Sequence, residues 1–154
     1  MNVEGEISVA APREQVFDRL SDACFFASCI EGVQDLTEID ATHYSALFAT
    51  KIAYMRFNFK VNVEMTKASR PEVIEAKVEG TPMGVVGRLT ATASTQFTER
   101  GDETGIHYLI NATLTGKLGS IGEPVLRAKA KEMEKQFVQR LLAAFAGGAA
   151  EAGK

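Results

Sequence analysis

Residues 55–65, "MRFNFKVNVEM", alternate apolar and polar side chains without interruption. Successive side chains of an extended chain leave opposite faces, so a period of two held this long predicts a half-buried strand. Met55, Phe57, Phe59, Val61, Val63 and Met65 make up its apolar face. Such a stripe either packs into a solid core or borders an apolar cavity, and the pattern alone leaves both open.

The same alternation continues outward in both directions. Residues 2–9, "NVEGEISV", set Val3, Gly5, Ile7 and Val9 against Asn2, Glu4, Glu6 and Ser8. Strand patterns occupy 33–39 and 43–52 around the turn Asp40-Ala41-Thr42, and three more cover 73–79, 88–98 and 106–114. In the last two, Leu89, Ala91, Ala93, Phe97, Ile106, Tyr108, Ile110, Ala112 and Leu114 are the inward residues. Seven strands with one polar face each predict a single antiparallel sheet, dry on its concave side and wet on its convex side. Several inward residues, Ala76, Ala91, Ala93 and Ala112, are small, which suits either a close approach by another element or an unfilled space.

Three segments change the period. After the first strand, Pro12 suits a first helical turn, and Val16, Phe17 and Leu20 fall on one side of a short helix. A second short helix, "DACFFASCIEG" at 22–32, is expected to close at Gly32. Between Pro124 and Phe145, Leu126, Ala130, Met133, Phe137, Leu141 and Ala144 recur at spacings of three and four, with Lys129, Lys131, Glu132, Lys135, Gln139 and Arg140 on the far side. That amphipathic helix spans about 33 Å, close to the ~36 Å covered by the opening strand. It is long enough to lie across the whole dry face. Residues 116–123, "GKLGSIGE", read as its loose first turns, with Gly122 and Pro124 at a kink or at the true start. The whole reads as one domain, 1–146, followed by a disordered tail at 147–154.

Composition narrows the function. With 17 basic and 20 acidic residues, net −3, nothing suggests the basic patch that nucleic-acid phosphates require. The N-terminus opens into a strand pattern rather than a leader, and no run approaches the ~20 apolar residues of a membrane span. The expectation is a cytoplasmic protein, with room for peripheral contact at the inner face of the membrane. Cys24 and Cys29 are expected as free thiols, because a helical spacing of five holds them about 8 Å or more apart. Only His43 and His107 could join them as soft ligands, so neither a metal nor another cofactor is expected. His107 alternates onto the wet face and reads as a surface histidine. The glycines of "GKLGSIG" lack the spacing and the strand-helix-strand context of a phosphate-binding turn. No catalytic residue stands out, since ionisable residues fall overwhelmingly on outward registers.

The order of strand, two short helices, six strands and one long helix resembles the helix-grip fold of the START-like (SRPBCC) superfamily, an α+β architecture in which a curved seven-stranded sheet wraps a C-terminal helix. Three stretches are similar to the carbon monoxide dehydrogenase G-subunit family: "VEGEISVAAPREQVFDRLSD" at 3–22, "ASCIEG" at 27–32, and "GKLGSIG" at 116–122 together with "KQFVQRLL" at 135–142. Glu31 stands where that family usually has proline, a departure that touches the loop after the second helix. The chain also ends soon after the long helix, without the extended tail some relatives use near membranes.

The resemblance implies a non-enzymatic accessory protein of a CO dehydrogenase-type molybdenum hydroxylase system. Its role would be membrane docking or the handling of a hydrophobic acceptor, quinone or lipid-like, held in an apolar cavity. Expected wall residues are Phe17 from the first helix and Phe57, Phe59 and Val61 from the opening strand. Leu89, Tyr108 and Ile110 come from the last two strands, and Met133, Phe137 and Leu141 from the long helix. Tyr108 is the polar handle. The glycine-flanked loop with Met83, Gly84, Val85 and Val86 is apolar where a turn is normally polar, so it is a candidate gate or membrane contact. The alternatives are a polyketide cyclase-like enzyme, an activity found among START-like relatives, and a protein-interaction module without a ligand.

Overall fold

In the computed structural model, which describes the backbone of residues 1–152 and the side chains up to position 146, the opening stripe lies in the longest strand. That strand is β4 (Met55–Ser69), fourth of seven after β1 (Asn2–Val9), β2 (Val33–Asp40) and β3 (His43–Ile52). β5 (Val73–Pro82), β6 (Gly87–Arg100) and β7 (Glu103–Gly116) complete a single sheet in the order β1-β7-β6-β5-β4-β3-β2. Every neighbouring pair is antiparallel. The six hairpin-linked strands form a meander, and β1 returns to pair with β7. This is the seven-stranded antiparallel sheet that the alternation predicts.

Two short helices, α1 (Arg13–Ser21) and α2 (Ala23–Ser28), separate β1 from β2. The break between them is set by Asp22, whose carboxylate caps α2 by accepting from the backbone N–H of Cys24 at 2.9 Å and of Phe25 at 3.3 Å. Gly32 does not close α2, which ends at Ser28 with Cys29 as its cap. It has φ +93 instead, and a Cβ there would collide with the carbonyl oxygen of Ala49. Gly32 is thus what lets the chain enter β2 pressed against β3, where its carbonyl accepts from Ala49 N–H at 3.0 Å.

The long helix α3 spans Glu123–Ala152. Residues 116–123, expected as its loose first turns, hold instead the end of β7, a single 3-10 turn at Gly119–Ile121 and Gly122 at φ +101. Leu118, in that connection, is fully buried. Of the tail expected at 147–154, the backbone up to Ala152 is assigned to α3, and the rest of that expectation lies outside the described residues.

The apolar interior is divided in two. One cluster joins Ile7, Val9, Val16, Phe17, Phe97 and Ile106 to Leu141 and Phe145 near the C-terminal part of α3. The other joins Ile52, Phe57, Phe59 and Leu118, with Leu126 near the start of α3 packed against it. Leu126 and Leu141 are fifteen positions apart, about 22 Å along a helix. The sheet and helix are therefore clamped at both ends, and the stretch between the clamps decides whether the interior is solid.

Candidate functional site: a cavity beneath the long helix

Between the two clamps the inner face of the sheet carries little side-chain volume. Ala91 of β6 stands opposite Ala112 of β7, and Ala93 stands opposite Ala76 of β5. α3 does not descend onto them, because the end clusters hold it at both ends, and a cavity of about 770 Å³ remains. That volume falls within the usual range for small-molecule sites. Ala91, Ala93 and Ala112 floor it, Met133 and Phe137 roof it, and Phe26, Cys29 and Ile30 border it from α2 and the loop that follows.

Of the residues expected in the wall, Phe57, Leu89, Tyr108, Ile110, Met133 and Phe137 line the cavity. Phe17 and Leu141 belong to the end cluster near the C-terminal part of α3. Phe59 lies in the opposite cluster, and Val61 packs against it. The loop of Met83, Gly84, Val85 and Val86 is not part of the wall. Val85 turns in against Phe57 and its neighbours, while Met83 is 53% and Val86 81% exposed.

The polar content of the cavity is larger than the outward registers suggest. Lys129 and Glu132, expected on the far side of the helix, both border it; their side chains pair at 3.3 Å and that of Lys129 is only 18% exposed. Long side chains reach round a helix while their heads seek a partner. Glu134 is the more informative case. It lines the cavity and accepts a hydrogen bond from the Tyr108 hydroxyl. A signal for it exists in the sequence: Ala130, Glu134, Phe137 and Leu141 also recur at four, three and four, so Glu134 sits on the shoulder of the apolar stripe.

Burial first, and then the hydrogen bond to and charge of Glu134, push the Tyr108 hydroxyl well above the ordinary tyrosine range, so it stays protonated. His107, next in sequence, faces the other way and pairs with Glu4 at 2.6 Å on the outer surface. Cys24 is exposed and Cys29 buried, and both are free. Among the described residues no helix is long and apolar enough to cross a membrane.

A curved seven-stranded antiparallel sheet, two short helices after its first strand and a long C-terminal helix over its concave face define the helix-grip fold. Residues 5–145 match the carbon monoxide dehydrogenase G-subunit family (CoxG), and the chain belongs to it. No curated protein matches the sequence. Among solved structures, the chain is similar to a conserved protein from Geobacillus kaustophilus, at 24% identity and TM-score 0.87 with 96% of each chain covered. It is similar also to the Zhui aromatase/cyclase from a Streptomyces species, at 15% identity and TM-score 0.69, covering 95% of this chain and 93% of that one. A third is Ara h 8.0201, at 9% identity and TM-score 0.67, covering 96% and 98%. At these identities the likeness is one of fold.

Proposed function

We propose that the protein is a non-enzymatic carrier that holds a nonpolar molecule, quinone or lipid-like, beneath α3. We place it as an accessory protein of a CO dehydrogenase-type molybdenum hydroxylase, where it hands over a hydrophobic acceptor or docks at the membrane. The observation that carries this reading is the cavity of about 770 Å³, floored by Ala91, Ala93 and Ala112 and roofed by Met133 and Phe137. The family supports the choice of partner. Native mass spectrometry of the purified protein, followed by solvent extraction, tests the carrier role. Expected is a mass excess released as a nonpolar compound, and its loss in an Ala91→Phe, Ala93→Phe variant whose added rings fill the space. A protein without bound mass, from which neither quinone nor phospholipid displaces an apolar dye, overturns the reading in favour of a ligand-free interaction module.

One observation favours a cyclase-like enzyme as the second reading, namely an ionisable pair inside the cavity. General acid–base catalysis works best with a group titrating near the working pH, and Tyr108 is shifted away from it. Turnover of an aromatic polyketide, abolished in Tyr108→Phe, would establish the enzyme and displace the carrier.

A further inference from the structure

The Tyr108 hydroxyl has one proton, and it is committed to Glu134. What the pair presents to a cavity ligand is therefore acceptors only: the phenolic lone pairs and the rest of the carboxylate, which offers about four acceptor sites of which Tyr108 occupies one. Among the described residues Glu134 enters no ion pair and no second hydrogen bond, in contrast to Glu132, which holds Lys129. The arrangement is held from behind by Gly5, where a Cβ would stand 2.6 Å from Tyr108 Cζ and 3.1 Å from Glu134 Oε2. The tyrosine ring can lie over β1 only because that position has no side chain.

We propose that Glu134, positioned by Tyr108, makes the cavity selective for a nonpolar ligand whose polar end is a hydroxyl. The inference rests on the carrier reading and names the ligand class for the same site. A carbonyl or ether oxygen brought against this pair meets lone pairs and receives no hydrogen bond from it. A hydroxyl donates to the half-buried carboxylate, forming a charge-assisted hydrogen bond. A site built around such a bond discriminates more sharply than an apolar pocket does by shape. For a redox-active ring compound the pair favours the hydroquinone over its quinone, that is, the reduced form left once the acceptor has taken up two electrons and two protons.

Three probes of one skeleton separate the outcomes: para-hexylphenol, its methyl ether para-hexylanisole, and para-hexylbenzoate, with dissociation constants read by displacement of an apolar fluorescent dye. The phenol is expected to bind roughly tenfold or more tighter than the ether, the usual worth of a hydrogen bond to a charged group. In Glu134→Leu the two should differ less than about threefold, with the ether bound no more weakly than by the unaltered protein. Tyr108→Phe, which frees the carboxylate from its positioning bond, is expected to narrow the preference without abolishing it, and Glu134→Gln, which carries its own donor, narrows it should the leucine variant fail to fold. Equal binding of phenol and ether, or a preference that survives Glu134→Leu, overturns the inference and leaves the carrier reading standing. Tighter binding of the benzoate overturns it as well, in favour of an acidic ligand held by Lys129. Binding of none of the three overturns this inference, and the carrier reading falls with it only where quinone and phospholipid also fail to displace the dye.

Discussion

Gly5 of β1 stands directly opposite Tyr108 of β7 in the antiparallel register, and the tyrosine ring occupies the space that a side chain at position 5 would fill. Glycine inside a strand normally costs about 0.5–1 kcal/mol, so its replacement by a β-branched residue stabilises a strand wherever room exists. Here room does not exist. Gly5→Val is expected to destabilise the fold by about 1–3 kcal/mol, the range for overpacking, and to part Tyr108 from Glu134. Urea denaturation gives the sign directly, and a more stable variant would show that the ring is free to move aside.

The raised Tyr108 hydroxyl makes alkaline pH a probe of the same corner. In the unfolded chain this tyrosine ionises near 10.0, whereas in the fold burial and then Glu134 hold it higher. Between those values the unfolded state binds fewer protons than the native one, so stability falls as pH rises. Its contribution is complete below the unfolded value and is lost progressively as the pH rises from there through the value in the fold. Tyr108→Phe should therefore flatten the decline in unfolding free energy beyond about pH 10. Parallel declines in the two proteins would mean that Tyr108 is not the group responsible.

The two cysteines should differ sharply in reactivity. Cys24 is exposed, while Cys29 borders the cavity at 2% exposure and its thiol is raised, chiefly by burial. A thiolate is the reacting species. A maleimide at neutral pH should modify Cys24 at least about tenfold faster than Cys29, both becoming equivalent in denaturant. Peptide mapping of the labelled protein distinguishes the sites, and a cavity ligand should slow Cys29 further.

Much of this fold is legible in the chain because each strand keeps its own alternation and the terminal helix its own period. Periodicity reports which face a residue occupies. It does not report where along the element a neighbour sits, so Phe17 and Leu141 share the inward face with Phe137 yet are buried within an end cluster, whereas Phe137 packs at its edge and lines the cavity. The small residues Ala91, Ala93 and Ala112 are visible beforehand, but the helix height above them depends on the clusters at either end, an interaction between distant segments. Glu134 escapes notice because Met133 beside it already satisfies the apolar stripe, and Tyr108 and Gly5, its reasons for facing inward, lie more than a hundred residues apart. Gly32 is misread for a related cause: a glycine after a helical run suggests a helix stop, whereas its necessity comes from Ala49 on another strand.

The contrast between Leu141 and Phe137 tests the division of the interior. Leu141 is fully buried against Ile7, Val16 and Phe17 and their neighbours, so Leu141→Ala should cost about 2–5 kcal/mol while leaving ligand affinity unchanged in protein that remains folded. Phe137 faces an existing cavity, and truncating it enlarges that space. Phe137→Ala should change affinity several-fold at a smaller cost in stability. Paired thermal melts and dye titrations measure both. If the two variants lose affinity alike, the end cluster and the cavity are one continuous site.

Membrane docking, the other half of the proposed role, has a specific candidate surface. Phe59 pairs with Pro82, and the N–H of Met83 donates to Asn58 at 2.8 Å, so the β3–β4 tip and the loop after β5 lie at the same end of the sheet. There Tyr54 is 94% exposed, and Met55, Met83 and Val86 at the same end are exposed as well. Three exposed cations flank these side chains: Lys51 stands opposite Arg56 at the tip, and Lys117 donates its N–H to the carbonyl of Val86 at 2.8 Å. Apolar side chains ringed by cations suit an anionic bilayer, where each Lys or Arg near the surface contributes about 1 kcal/mol. Met83→Ser, Val86→Ser is expected to weaken binding to vesicles of anionic phospholipid by roughly tenfold or more, at about 0.8 kcal/mol per buried CH₂ lost. Thermal stability should be nearly unchanged, because both side chains face solvent. Raising the salt to about 1 M should weaken binding of the unaltered protein, since charges at that surface are screened within about 3 Å. Vesicle binding that is indifferent to both the double substitution and salt would leave this end of the sheet without a membrane role, and would confine the protein's action to what its cavity holds.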